Sequence, residues 1–270
     1  MTDDDLTEWL NIAGKLADEA GRIILERWDT ATTQRKADGS EVTDADWAAE
    51  EHIRDALNRA YPDHDVLAEE AGLGSAPAHG GRFCWAVDPL DGTQSYTRRF
   101  PCFATSIALL DSGTPVVGVV REHVSGRTYT AAAGHGAHMD GAPIRVAQNP
   151  LNYDFFVGIS SSKHPDSRAA LQRVLQRASL RSLGSTAVHL ALVATGAMDA
   201  ALSHRCYTWD IAAGYVIIRE AGGVCTDLHG RDLLPLPPQP DPTAKTPFLA
   251  AGPHVHAELL DLIRRGAPAD

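Results

Sequence analysis

Apolar positions along the chain change period several times, and each change marks an element. Leu6, Trp9, Leu10, Ala13, Leu16, Ala17, Ala20, Ile23 and Ile24 recur at helical spacing and predict an amphipathic helix from about Leu6 to Trp28. Gln34–Glu41 is polar, with Asp38-Gly39 as a turn signal. A second helix is expected from near Thr43 to about Arg59, ended by Tyr61-Pro62. Short apolar runs at Asp65–Ala68, Phe83–Val87, Thr105–Leu110 and Val116–Val120 predict strands of a sheet covered on both faces. Tyr129–Ala133 and Pro143–Val146 continue the series, with a turn at Met139-Asp140-Gly141.

Gln148–Asn152, with Pro150, is the expected boundary between an N-terminal half (1–147) and a C-terminal half (148–270). The second half predicts a strand at Phe155–Ser160, a helix at about Pro165–Ala178 and a strand near Leu180–Leu183. A helix at about Thr186–Gly196, a strand at Met198–Leu202 and a helix from about Trp209 to Ala221 follow, the last stopped by Gly222-Gly223. Leu234–Pro247 is Pro-rich and reads as an exposed loop. A strand at Phe248–Ala250 and a helix at Ala257–Arg264 end the series, and His254-Val255-His256 is expected in a loop or at a strand end. No internal repeat is visible. Alternating helices and strands in both halves define a layered α+β protein rather than a bundle or sandwich.

Composition narrows the chemistry. The 270 residues carry 24 Lys+Arg against 35 Asp+Glu, a formal net charge of −11. That excess, and the absence of any Lys/Arg-rich run, argues against a nucleic-acid partner. No stretch of about 20 apolar residues suggests a membrane span. The N-terminal acids Asp3, Asp4 and Asp5 do not resemble a secretion leader, so a cytoplasmic protein is expected. Only Lys15, Lys36, Lys163 and Lys245 are lysines, so a phosphate ligand would meet metal ions sooner than a lysine cradle. Cys84, Cys102, Cys206 and Cys225 are widely spaced and read as reduced thiols.

The sharpest motif is Asp88-Pro89-Leu90-Asp91-Gly92-Thr93, at the end of an apolar strand. Pro89 stiffens the turn and cannot continue a ladder, so both carboxylates can reach one side. Two such acids repel unless a cation lies between them, and hard oxygen ligands favour Mg²⁺, Mn²⁺ or Ca²⁺. If Thr93 opens a helix, free N–H groups beside Gly92 form an anion site. An Asp-rich surface turn is the plainer alternative. Glu69-Glu70 after Val66-Leu67-Ala68 suits a ligand pair or a solvated strand end. Asp210 after Trp209 suits a helix cap as well as a ligand, and Thr43 with Asp46 forms a capping-box pattern.

Together these segments resemble the inositol monophosphatase family of Mg²⁺-dependent, lithium-sensitive phosphatases. The resemblance includes Glu69-Glu70, Asp88–Thr93, Trp209-Asp210 and Glu220-Ala221-Gly222-Gly223. It extends to Val42–Asp46, Arg181–Ser185 and Val193–Gly196, and spans most of the chain. It implies a layered αβαβα sandwich of the inositol monophosphatase and fructose-1,6-bisphosphatase type, and a homodimer. It implies two to three Mg²⁺ per site, with Mn²⁺ as a substitute. Glu69, Asp88, the Leu90 carbonyl and Asp91 would hold the first ion, and Asp210 a second shared with Asp88 and Asp91. Asp46 would sit in the outer shell or orient a water, Glu69 and Thr93 would orient or deprotonate the attacking water, and Gly92 and Thr93 would receive the phosphate. Lys36 stands where the family has a lysine near the site, and Gly184, Ser185 and Thr186 where it contacts substrate.

The implied reaction is hydrolysis of a small phosphomonoester, inositol monophosphate first, by in-line attack of water. Histidinol phosphate and 3′-phosphoadenosine-5′-phosphate, as for a 3′(2′),5′-bisphosphate nucleotidase, are the alternatives. Ser203 replaces the acidic residue that inositol-type members carry seven positions before the tryptophan-linked Asp, and Arg205 could meet a second phosphate or a carboxylate. A non-catalytic regulatory binding protein on the same fold is the rival of another class. An aspartyl-nucleophile motif of the haloacid-dehalogenase type fails because its acids stand two apart, whereas Asp88 and Asp91 stand three apart.

Overall fold

The computed structural model describes residues 1–71, 81–160, 171–235 and 245–264. Lys163, the first part of the helix expected at Pro165–Ala178 and most of the Pro-rich segment lie outside the described residues. Helix α1 (Asp3–Arg27) opens with a capping box in which Thr2 and Asp5 exchange side-chain and backbone bonds. Strands β1 (Thr33–Arg35) and β2 (Glu41–Thr43) form an antiparallel hairpin, and Thr43 begins helix α2 (Asp44–Ala60). The buried faces of α1 and α2 interlock through Leu6, Trp9, Leu16, Ile24, Ile53 and Leu57.

These helices cover one face of a seven-stranded sheet ordered β3-β4-β5-β6-β7-β8-β9. Its strands are β3 (Asp65–Ala68), β4 (Phe83–Asp91), β5 (Ala104–Asp111), β6 (Thr114–Glu122), β7 (Thr128–Ala132), β8 (Ala137–Met139) and β9 (Ala142–Pro143). Only β3 and β4 run parallel. A five-residue helix, α3 (Thr93–Thr97), leaves β4 at Gly92. It is tied back to α1 by the Tyr96 hydroxyl, which donates to Ile24 O, and by Trp28 Nε1, which donates to Tyr96 O.

The second sheet is ordered β11-β10-β12-β14-β13. It uses β10 (Phe156–Ile159), β11 (Ser179–Arg181), β12 (Ala200–Cys206), β13 (Val224–Thr226) and β14 (Thr246–Ala251). Helices α4 (Thr186–Ala194) and α5 (Thr208–Glu220) fill the space between the sheets, with Leu190, Val193, Ile217 and Ile218 in the middle core. Both are buried on nearly every side, which is why their sequences are apolar all round. Helix α6 (Pro253–Arg264) and the helical residues 171–175 close the outer face through Leu259, Ile263, Val174 and Phe155. The result is an α+β fold of five layers, helix–sheet–helix–sheet–helix.

The structure corrects three expectations. Strand β4 does not end at Val87. It continues through Pro89 to Asp91 across a bulge in which Asp88 faces Ser106 and Asp91 faces Ala104. Pro89, which has no N–H to offer, falls inside the irregular step, where a ladder donor is not required. The polar stretch 34–41 carries both hairpin strands as well as the turn. His254 and His256 lie in the first turn of α6, where His256 Nε2 meets Thr226 Oγ1 at 3.1 Å. All four cysteines are free thiols.

Candidate active site

Five acids expected to act together come from separate elements. Glu69 and Glu70 follow β3, Asp88 and Asp91 flank the bulge of β4, and Asp210 sits in the first turn of α5. Their proximity is read in their protonation. Burial first, and then the charges of Glu69, Asp91, Asp210 and Glu70, push the Asp88 carboxyl well above its usual range. Burial raises Asp210 likewise, with Asp91 and Glu69 adding to it. Burial also raises Asp91 and Glu70, and Glu69 adds to each. Buried carboxylates that disfavour one another's charge form a site short of positive charge.

Part of that charge comes from the β1–β2 hairpin. Lys36 Nζ donates to Glu69 Oε1 at 2.8 Å and to Glu70 Oε1 at 2.6 Å. Burial pulls its ammonium down, but Glu69 and Glu70 outweigh that and hold it above its usual value. The Glu70 N–H donates to Glu50 Oε2 at 2.6 Å, which fixes the Glu pair to α2. Glu50 was not singled out by sequence. Its signal is an acid on the apolar face of α2, one turn after Asp46 and between Ala49 and Ile53.

The other acids are held by internal donors. Asp91 Oδ2 accepts from the Ser185 hydroxyl at 2.7 Å and from the Ala187 N–H, so the start of α4 grips it. Asp88 Oδ1 accepts from Leu90 N, and Asp210 Oδ2 from Tyr207 N. The capping-box pattern at Thr43 is present: Asp46 Oδ2 accepts the Thr43 N–H and hydroxyl. Its other oxygen faces the Thr93 hydroxyl at 3.0 Å, and that hydroxyl also lies 3.1 Å from Leu90 O. Burial raises Asp46 to about 6 against the hydrogen bonds that oppose it.

Gly92 has φ +100°, a left-handed conformation in which a side chain is strained. A Cβ there would also approach Cys102 O at 3.1 Å and Gly184 O at 3.2 Å, so the turn closes tightly on the loop before α4. Gly184 is exposed beside it, Ser185 caps α4, and Thr186 Oγ1 lies 3.9 Å from Cys206 Sγ. Ser203 is buried on β12, with its hydroxyl against Ser160 Oγ and the Arg205 N–H. Arg205 is exposed.

The fit of the site to a metal is judged from its donors. They are hard oxygens, buried and mutually repelling, as Mg²⁺ or Mn²⁺ requires. Among the described residues no three acidic, histidine or cysteine side chains lie close enough to enclose an ion as they stand. Loading would therefore require Lys36 to leave Glu69 and the carboxylates to turn from their internal donors.

Sheet order, layers and acids together define an α+β protein with a cluster of acidic side chains at the ends of β3 and β4 and the start of α5. The family model of the inositol monophosphatase family matches residues 5–266, and the chain belongs to that family. It is 36% identical over 232 residues to Nus factor SuhB of Xylella fastidiosa, covering 83% of each chain. It is 35% identical over 235 residues to the inositol-1-monophosphatase of Mesorhizobium japonicum, covering 83% of this chain and 88% of that one. The structure of inositol monophosphatase from Anabaena superposes with a TM-score of 0.83 at 28% identity, covering 98% of both chains. Among the described residues no helix is long and apolar enough to cross a membrane.

Proposed function

We propose that the chain is a Mg²⁺-dependent phosphatase that hydrolyses a small phosphomonoester, inositol monophosphate first. The observation that carries this is the set of buried carboxylates Asp88, Asp91 and Asp210 beside Glu69 and Glu70, which raise one another's proton affinity. Family membership and the inositol-1-monophosphatase relative support it.

Glu69, Asp88, the Leu90 carbonyl, Asp91 and Asp210 would hold the ions. When bound, Mg²⁺ neutralises the phosphate oxygens, lowers the pKa of a water and stabilises the departing alkoxide. The chain's own residues do the rest. Gly92 and Thr93 offer backbone N–H groups to the phosphate at the start of α3. The Thr93 hydroxyl donates to Asp46 Oδ1, so its oxygen can accept a hydrogen bond from the attacking water and aim it at phosphorus; as the water attacks, its proton passes to Thr93 Oγ1 while the Thr93 proton moves to Asp46. Attack is in line, the P–O bond breaks, the departing alkoxide takes up a proton from a solvent water, and alcohol and inorganic phosphate leave without a phosphorylated side chain. Gly184, Thr186 and Arg205 stand on the substrate side in this reading, while Ser185 acts through Asp91 and the buried Ser203 supports Arg205 from behind.

The test is phosphate release from inositol monophosphate, histidinol phosphate, fructose 1,6-bisphosphate and 3′-phosphoadenosine-5′-phosphate, with Mg²⁺ and with added Li⁺. We expect Mg²⁺-dependent, Li⁺-inhibited release, greatest for inositol monophosphate, and its abolition by Asp91→Asn in a folded protein. Turnover of that variant near the wild-type rate would rule out the metal site. A second reading, a regulator that binds a protein partner on this fold, is favoured by the likeness to Nus factor SuhB. It predicts no release from any ester of the panel.

A further inference from the structure

A bulge leaves a backbone group without its ladder partner, and in β4 that group is the buried Pro89 carbonyl. Asp88 faces Ser106 and Asp91 faces Ala104, so the residue opposite the extra step is Thr105. Thr105 is fully buried, and its Oγ1 donates to Pro89 O at 2.7 Å. A hydroxyl has one proton to give. Once it is committed to Pro89, the 3.0 Å contact between Thr105 Oγ1 and His123 Nε2 requires the imidazole to be the donor. His123 therefore carries its proton on Nε2, and its Nδ1 is a bare lone pair, buried without a hydrogen-bond partner.

The ring has a second local disadvantage. A Cβ on residue 21 of α1 would lie 2.6 Å from His123 Nδ1 and 3.0 Å from Cε1, so the helix carries glycine where alanine is the better former. An apolar ring would fill the same space without an orphaned nitrogen. What only histidine provides is the donor to Thr105.

We propose that Thr105 and His123 are positioning residues that lock the Pro89 peptide and thereby fix the main chain from which Asp88, the Leu90 carbonyl and Asp91 would reach a divalent cation. The inference rests on the metal-site reading above. The chain of bonds runs from His123 Nε2–H to the Thr105 hydroxyl to Pro89 C=O, and touches no ligand oxygen. Asp88 and Asp91 repel each other across this peptide. A bulge free to rotate would let their main chains part, whereas a locked one fixes the backbone, so that only the side chains need turn from their internal donors as the ion binds.

The test uses Mn²⁺ as the probe, with free Mn²⁺ counted by electron paramagnetic resonance against wild type, Thr105→Val, Thr105→Ser and His123→Phe. Thermal unfolding of each in EDTA is measured in parallel. Thr105→Val and His123→Phe should bind Mn²⁺ about three- to tenfold more weakly, and Thr105→Ser, which keeps the hydroxyl, should stay within about twofold of wild type. Imidazole ¹⁵N shifts should place the His123 proton on Nε2. Wild-type Mn²⁺ affinity in Thr105→Val with only a lower unfolding temperature would reduce the pair to packing and overturn the proposal, as would a proton on Nδ1. Should Thr105→Val not fold, His123→Phe is judged by the same criterion. A wild-type protein that binds no Mn²⁺ would overturn the metal site itself, and this proposal with it.

Discussion

His189 shows how a single buried side chain sets a pH limit. Its Nε2 accepts the Leu183 N–H at 3.0 Å, and burial lowers its pKa to about 4. In the unfolded chain a histidine titrates near ~6.5. Between pH 6.5 and 4 the unfolded state therefore binds a proton that the folded state refuses. Stability from this residue is intact above 6.5 and falls as the pH drops, by up to about 1.4 kcal/mol per unit. His189→Gln keeps an acceptor for Leu183 and does not titrate. The stability advantage of wild type over the variant should shrink by about 1–2 kcal/mol between pH 7.5 and 5.0 in urea unfolding. A constant difference would mean that the folded imidazole takes up its proton as readily as the unfolded one. At this scale the sequence was informative where partners are local. Thr43 and Asp46 are three residues apart, and their mutual cap was legible. The grip of Ala187 on Asp91 joins residues 96 positions apart and leaves no mark in the pattern near either.

Among the elements, α1 offers the sharpest contrast between local preference and packing. Glycine inside a helix ordinarily costs about 1 kcal/mol relative to alanine. At Gly21 the added methyl would meet the His123 ring at 2.6 Å, so Gly21→Ala should lower stability by about 1–3 kcal/mol despite the better propensity. In a His123→Ala background the collision is gone, and Gly21→Ala should become neutral or stabilising. A double-mutant cycle in urea measures the difference, and purely additive effects would dissociate the glycine from the ring. Element types were legible from periodicity for the long helices and the central strands, because a packed face repeats along its own helix or strand. What escaped was structure dictated by a partner. The β1–β2 hairpin has three-residue strands, β1 exposed and β2 burying only Val42 and Thr43, and it is specified by pairing and by the Lys36 contact with the Glu pair. Pro89 reads as a stop in isolation, yet β5 carries the ladder past it by placing Thr105 beneath the bulge.

Across the whole molecule, the net charge of −11 acquires a location. Asp46, Asp88 and Asp91 are buried and Asp210 is half-buried near them, with Glu69 and Glu70 beside them and Lys36 as the close cationic partner of the Glu pair. A fold built this way is incompletely balanced without metal, so metal and folding should be linked. An ion that binds only the folded state at 100 times its Kd adds about 2.7 kcal/mol, and for a chain of this size each kcal/mol raises the unfolding temperature by about 2–4 °C. Wild type should therefore gain roughly 5–10 °C on replacing EDTA with saturating Mg²⁺. Asp88→Asn separates the two sides of this balance. It removes the carboxylate that Glu69, Asp91, Asp210 and Glu70 all oppose, while its amide oxygen can still accept from Leu90 N. In EDTA the variant should unfold no lower than wild type, because a repelling group is gone. In Mg²⁺ it should gain nothing, because a ligand is gone. A variant that is destabilised in EDTA and still responds to Mg²⁺ would place Asp88 among the supports of the fold and outside the metal site.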